Sequence, residues 1–105
     1  MKEDLNENEV IEVSHIDRDN YEEYIGKTVK VKGNVDLSGL CLTKLPINFT
    51  EVSGNFDCSY NKLTSLVGAP NEVSGFFNCS DNELTSLKGG PTKVGGGFDC
   101  SFHWW

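Results

Sequence analysis

The sequence predicts a short solenoid, in which about four stacked repeats pair their strands in parallel as one sheet. The first observation is a repeated segment: FDCSYNKLTSLVGAP at residues 56–70 returns as FNCSDNELTSLKGGP at residues 77–91, which sets a period of 21 positions. The second is that apolar residues recur at the same places in every copy. A fixed period of about 20 to 50 residues is typical of stacked arrays, whose units bury their apolar faces against one another.

The period divides the chain into an acidic leader, residues 1–27, followed by four rows. Rows one to four are residues 28–48, 49–69, 70–90 and a shortened 91–105. Apolar side chains occupy matching positions of successive rows, which we call columns. They are Val31, Val52, Val73 and Val94; Val35, Phe56, Phe77 and Phe98; Leu37, Cys58, Cys79 and Cys100; Leu42, Leu63, Leu84 and Trp105; and Leu45, Leu66 and Leu87. Columns this regular predict a core.

The alternation in Phe56-Asp57-Cys58-Ser59 predicts a half-buried strand, with Phe and Cys on the core side and Asp and Ser outside. We therefore expect parallel strands at residues 35–38, 56–59, 77–80 and 98–101. The Asn that follows each strand, Asn61 in row two, is polar within an apolar shell. It is tolerable only if it bonds to the backbone of adjacent turns.

The pattern F-x-C-x-x-N-x-L-x-x-L, with Asn61 and Asn82 in the Asn column, resembles the leucine-rich repeat. Its short period is similar to the bacterial subtype in which a proline-containing turn follows the second leucine. The resemblance covers residues 28–105. Leu40 in row one and His103 in row four stand where the pattern has Asn. The resemblance implies a solenoid that recognises proteins.

The net charge of −7 lies in the leader, because residues 1–26 hold nine acidic and two basic residues, and the remaining chain holds seven of each. Within the leader, DRDNYEEYIGK at residues 17–27 predicts a short helix. Asp19 and Glu22 have the spacing of a capping box, and Gly26 would end the helix. We expect this helix to cap row one. The preceding VIEVSHI, residues 10–16, is ambiguous between strand and coil.

Four cysteines do not indicate a metal site, because no C-x-x-C pair is present. Cys58, Cys79 and Cys100 share a column with Leu37, so we interpret them as small buried side chains with reduced thiols. The sequence shows no catalytic constellation and no phosphate-binding motif, so we expect neither enzyme activity nor a cofactor. Without a long apolar run or an apolar signal segment, a cytoplasmic protein that does not enter a membrane is expected.

The outward side chains of the predicted strands form parallel columns, and such a surface suits protein recognition. The residues predicted to bind a partner comprise this face, part of the acidic leader and the C-terminal tryptophans: Asp36, Asn55, Asp57, Phe76, Asn78, Asp99, Glu7, Glu9, Glu12, Trp104 and Trp105. The serines Ser38, Ser59, Ser80 and Ser101 are expected to face outward as well. Trp104 and Trp105 are either a cap or an adhesive end for a partner or a second copy of the chain.

These features favour a non-enzymatic module that binds a protein with a basic surface. A small acidic protein of this kind resembles, in style, proteins of phages and mobile elements that occlude the nucleic-acid channel of bacterial defence nucleases, anti-CRISPR proteins included. The alternative is a scaffold that associates through its open solenoid end. Direct nucleic-acid binding is disfavoured, because the lysines are scattered and form no basic stripe.

Overall fold

The computed structural model describes residues 9–101, which form a β-solenoid of two parallel sheets. The first sheet holds, in spatial order, β1 (Val10–Val13), β2 (Thr28–Val31), β4 (Asn48–Val52), β6 (Glu72–Val73) and β8 (Lys93–Val94). The second sheet holds β3 (Val35–Asp36), β5 (Phe56–Asp57), β7 (Phe77–Asn78) and β9 (Phe98–Asp99). Each row gives one strand to each sheet, so the chain completes about four turns with the predicted period.

The predicted register is confirmed in the second sheet, where Val35, Phe56, Phe77 and Phe98 pair in sequence across parallel strands. These strands are shorter than predicted. The reason is a side-chain bond: Oδ1 of Asp57 accepts from the backbone N–H of Ser59 at 2.9 Å, a local turn that ends the strand. The same turn recurs in all four rows, with Asn78 in place of Asp in row three.

The prediction of one sheet is wrong, because the valine column at Val31, Val52 and Val73 forms a sheet of its own. Each row bends twice, once at Gly33 or its equivalents and once after the Asn position. It therefore presents two extended segments to its neighbours. The valine side chains are at most 2% exposed and face the phenylalanines of the other sheet. The core lies between the sheets.

The helical cap predicted for the leader is also wrong. Residues Tyr21–Tyr24 form only a 3-10 helix of 4 residues, whose N-cap, Asn20, makes no side-chain capping bond. The leader instead covers row one with a strand: β1 pairs in parallel with β2, and Ile16 bridges to Val35. Ile16 is 1% exposed. An exposed sheet edge must be covered or otherwise protected from pairing with another chain. Here β1 covers the edge of β2.

Two stacked phenylalanines form the centre of the core. Phe56 and Phe77 are 0% exposed, and their rings lie 5.3 Å apart with planes 14° from parallel. Phe49 meets Phe56 edge to face, with ring centroids 5.0 Å apart. A fully buried aromatic ring is among the largest single contributions to a small core.

The predicted role of the buried asparagines is confirmed. The Asn61 side-chain amide donates to the carbonyls of Leu37, Cys58 and Ser59 at 2.8, 3.1 and 3.2 Å. Its Oδ1 accepts from the N–H groups of Leu40 and Leu42, both at 2.9 Å. Asn82 repeats this arrangement one row later, where its amide donates to the carbonyl of Cys58 at 2.9 Å. Each asparagine therefore binds its own row to the preceding one.

Glycines permit the rows to approach one another closely at one corner. A Cβ at Gly54 would lie 2.7 Å from the carbonyl oxygen of Gly33, and one at Gly75 would lie 2.8 Å from that of Gly54. Contacts that short are essentially never seen for real Cβ atoms, so any other residue at these positions would force the backbone of the neighbouring row to shift. The constraint is proximity between rows rather than positive φ, which occurs instead at Gly68 and Gly89 near the other turn.

The expectation of reduced cysteines is wrong for one pair: Cys79 and Cys100 form a disulfide with Cα atoms 4.8 Å apart. Parallel strands place equivalent residues of neighbouring rows about 4.8 Å apart, which is within disulfide range. Cys58 stays a free, buried thiol, and Cys41 is free and exposed. Burial, with a smaller contribution from the Asp57 charge, raises the pKa of the Cys58 thiol from 9.0 to about 12.

This shift predicts a loss of stability at alkaline pH. Because the folded chain holds the Cys58 proton more tightly than the unfolded chain, the contribution is complete below about pH 9 and is lost as pH rises toward about 12. Urea unfolding at several alkaline pH values would measure it. Cys58→Val is the matched control, since it removes the titrating group but keeps the apolar contact. Parallel stability curves for the two proteins would contradict the prediction.

Candidate protein-binding surface

The outward side of the second sheet carries one side chain per strand: Asp36, Asp57, Asn78 and Asp99. Parallel register places the four in a straight column. Their Oδ1 atoms accept from the serine two residues on, as when Ser59 Oγ donates to Asp57 at 2.6 Å. The column is therefore held rigidly, and three of its four members are carboxylates.

Two of the four serines predicted to face outward, those of rows two and three, are buried instead, whereas Ser38 is half-buried and Ser101 is exposed. Ser59 is 3% exposed and Ser80 is 5% exposed, because each hydroxyl donates to its Asp or Asn neighbour, and the chain bends inward at that point. Alternation along a strand predicts that these serines face solvent. The strand ends after two residues, so the alternation of inward and outward side chains does not extend to them. All four serines bond to the column, and the buried Ser59 and Ser80 are not available to a partner.

A second outward column precedes the strands and consists of Asn34, Asn55 and Phe76. The Oδ1 of Asn34 accepts from the N–H of Asn55 at 2.9 Å, and that of Asn55 accepts from the N–H of Phe76 at 3.0 Å. Phe76 has no such acceptor, so this ladder of side-chain bonds ends there. Its ring is 40% exposed, next to the carboxylate column.

A third column, which the sequence reasoning missed, follows the strands at Gly39, Tyr60 and Asp81. All three residues adopt left-handed backbone conformations, with φ of 66°, 57° and 57°. This conformation costs a non-glycine residue about 1 kcal/mol or more, and it projects Tyr60 into solvent, 65% exposed. The signal was present in the sequence: Gly39 occupies the same position in row one, and glycine is the residue that a left-handed turn favours.

These three columns together are called the strand face. It carries four carboxylates, Asp36, Asp57, Asp81 and Asp99, and no basic side chain in its columns. Phe76 lies on one side of the carboxylate column, and Tyr60 lies on the other. The strand face is therefore an acidic stripe between two exposed aromatic rings.

The outward side of the first sheet differs in charge. There Glu12, Lys30, Glu51, Glu72 and Lys93 follow one another across the strands. Opposite charges contact each other, with Lys30 Nζ 4.0 Å from Glu51 and Lys32 Nζ 3.6 Å from Glu12. Such exposed pairs contribute little to stability, yet they neutralise the surface. The charges named on the first sheet are therefore more evenly balanced in sign than those of the columns of the strand face.

The remaining predicted site residues fall in two groups. Glu9 and Glu12 are exposed at the start of the described chain, and Glu12 is paired with Lys32. Glu7, Trp104 and Trp105 lie outside the described residues. The described leader adjoins the strand face, because Ile16 bridges to Val35 and the Arg18 guanidinium lies beside Gly39.

Within residues 9–101, β8 and β9 are the last strands of their sheets, and we call this side of the described solenoid the open end. Leu87 is 50% exposed and Phe98 is 45% exposed, whereas the equivalents one row earlier, Leu66 and Phe77, are fully buried. A cavity of about 230 Å³ lies here, lined by Leu84, Thr85, Ser86, Leu87 and Cys100. Among residues 9–101, this end gathers the apolar side chains that the next row would cover.

No protein-family model, curated protein or solved structure matches this chain. Within residues 9–101 no three His, Cys, Asp or Glu side chains are grouped to hold a metal ion. No helix in the same range has the length and apolar character needed to cross a bilayer.

Proposed function

We propose that this protein is a non-enzymatic, divergent leucine-rich-repeat module that binds a basic protein through its strand face. The observation that carries the proposal is the rigid carboxylate column flanked by Tyr60 and Phe76. Charge attracts the partner over long distances and sets the association rate, while exposed aromatic rings supply the contact energy. The leucine-rich-repeat assignment is supported by Asn61 and Asn82, whose amides bond to the turns of adjacent rows.

The partner class that we favour is a bacterial defence nuclease, CRISPR nucleases included. A nuclease needs a positively charged channel to hold the phosphate backbone. Adjacent members of the column lie about 4.8 Å apart, and three of the four, Asp36, Asp57 and Asp99, are carboxylates. The column therefore presents negative charges in a line, as phosphates do, and can occupy such a channel. The acidic leader adds long-range attraction. Inhibition would then result from occlusion, in the cytoplasm, without any chemistry by this chain.

The test is an inhibition assay with purified defence nucleases cleaving their own substrates. We expect Phe76→Ala to weaken inhibition about 30-fold, the equivalent of about 2 kcal/mol at an interaction hot spot. Asp57→Asn should also weaken it. This change keeps the turn bond, because Asn78 makes the same bond in row three, and it removes only the charge. The melting temperature of both variants should stay close to that of the wild type.

The matched control is Glu72→Gln, which removes an exposed carboxylate from the first sheet instead. It should inhibit as well as the wild type at physiological salt. If Glu72→Gln weakens inhibition as much as Asp57→Asn does, net charge rather than the strand face is responsible. Full inhibition by a Phe76→Ala, Asp57→Asn double variant would contradict the proposed surface.

A second candidate function is assembly through the open end, which the exposure of Leu87 and Phe98 favours. Two apolar side chains beside unpaired strand edges form a template for association. Light scattering of Leu87→Glu separates the two candidates. A wild-type dimer that dissociates on this change, with unaltered inhibition, would assign assembly to the end and recognition to the strand face.

A further inference from the structure

Row four is held to the solenoid more weakly than the rows before it. Phe98 is 45% exposed, whereas Phe56 and Phe77 are 0% exposed. In rows two and three an asparagine amide reaches back to the preceding row, as Asn82 does to Cys58. Row four has His103 at that position of the sequence. Its described part therefore buries less apolar surface and lacks the asparagine that joins the earlier rows.

The covalent bond between Cys79 and Cys100 is placed where these other interactions are missing. It joins row four to row three across a sequence separation of 21. On either side of it the N–H groups of Phe77 and Cys79 donate to the carbonyls of Gly97 and Asp99, both at 2.8 Å. The disulfide therefore holds the strand pair in register by restricting the freedom of the opened chain.

The two sulfur atoms differ in accessibility. Cys79 is 1% exposed, whereas Cys100 is half-buried and lines the cavity of about 230 Å³ at the open end. Cys100 is therefore the member of the pair more accessible to a small thiol. The third cysteine of the column, Cys58, is 0% exposed and protonated at neutral pH, since burial raises its pKa to about 12. Attack from outside is therefore the accessible route.

We propose that the Cys79–Cys100 disulfide is a reducible clasp that controls whether row four covers Phe77. A dithiol reductant attacks Cys100 Sγ as its thiolate, the S–S bond breaks, and Cys79 Sγ leaves and takes up a proton. The second thiol of the reductant then attacks the mixed disulfide, which releases Cys100 as a thiol and the reductant as a cyclic disulfide. Two electrons and two protons pass from the dithiol to the protein.

Opening the clasp leaves row four attached by non-covalent contacts, which in its described part include the backbone bonds of its strands and the partly exposed Phe98. When the row separates, Phe77, Leu84 and the edge of β7 become the new end of the solenoid. The apolar surface available to a partner thus increases on reduction. Reducing compartments keep cysteines as thiols and oxidising ones do not, so the compartment selects the state. This inference does not depend on the strand face or on its partner.

Hydrogen exchange of the full-length chain, followed by mass spectrometry with and without dithiothreitol, tests the clasp. We expect peptides covering residues 91–101 to exchange at least about tenfold faster after reduction, while residues 28–69 keep their protection. In a variant with Cys79→Ser and Cys100→Ser, the same peptides should exchange as fast as in the reduced wild type, and dithiothreitol should not change their rate. Cys100→Ser alone, which leaves the buried Cys79 in place, repeats the test with less risk to folding. Cys41→Ser, at an exposed free thiol, is the control and should behave as the wild type.

Three results would overturn the proposal. The first is unchanged exchange in residues 91–101 after complete reduction. The second is loss of protection in all rows together, which would show that the disulfide stabilises the whole fold rather than row four alone. The third is the titration of four free thiols in native protein that has been incubated with oxidised glutathione.

Discussion

Replacing Phe77 by alanine is expected to lower the free energy of unfolding by about 3–5 kcal/mol. Phe77 is 0% exposed, and its ring contacts those of Phe56 and Phe98, with centroids 5.3 and 5.1 Å away. Neighbouring rows are joined by backbone bonds and cannot collapse into the space that the ring leaves. Urea unfolding monitored by circular dichroism would give the difference directly.

Phe98→Ala is the matched control, because it removes the same side chain from the same column at a position that is 45% exposed. Its cost should be about 1 kcal/mol or less, since a half-exposed ring loses less buried area. A loss below about 1 kcal/mol for Phe77→Ala, or equal losses for the two variants, would show that the column is not buried as described.

Replacing Asn61 by alanine is expected to cost about 3 kcal/mol, although the side chain is small and polar. The change leaves three carbonyls and two N–H groups of neighbouring turns without their partner. A buried backbone group left unsatisfied costs about 1–3 kcal/mol, and water entering the site recovers part of this. We expect Asn61→Leu to lower the free energy of unfolding at least as much, because a leucine side chain of similar volume cannot bond to those groups.

Asn34→Ala provides the comparison. Asn34 is exposed and accepts a backbone bond from Asn55, so its replacement should cost about 1 kcal/mol or less. Stability measured by urea unfolding would rank the three variants. If Asn61→Leu is as stable as the wild type, Asn61 serves only to fill space, and the bonding between rows is not what holds the turns.

How far sequence reasoning succeeds here depends on the kind of interaction. The period, the parallel register and the role of Asn61 follow from repetition, because a residue that recurs once per row must meet its own copy in the next row. The leader was harder to predict, since it is a degenerate copy. Its Ile11, Val13 and Ile16 pair with Val29, Val31 and Val35, at a spacing slightly shorter than that of the rows. From the sequence, residues 10–16 are ambiguous between strand and coil, and this match is visible only in the structure.

In the candidate site, too, some residues could be identified from the sequence and others could not. Phe76 and the carboxylate column could be identified from the sequence, because they alternate with buried residues. Tyr60 could not be found in this way, since its exposure comes from a left-handed residue after the strand, where alternation has ended. The buried serines were mispredicted for the same reason.

The sequence by itself determined that this protein is a stack of repeated turns with aligned apolar columns and an uneven distribution of charge. Only the tertiary structure decided that each turn bends into two strands, that a strand rather than a helix covers the first row, and that Cys79 and Cys100 meet. The physical reason is that repetition specifies which residues are neighbours across rows. The bends within a row depend on close backbone approaches, such as that of Gly54 to Gly33, which exist only once the rows are stacked.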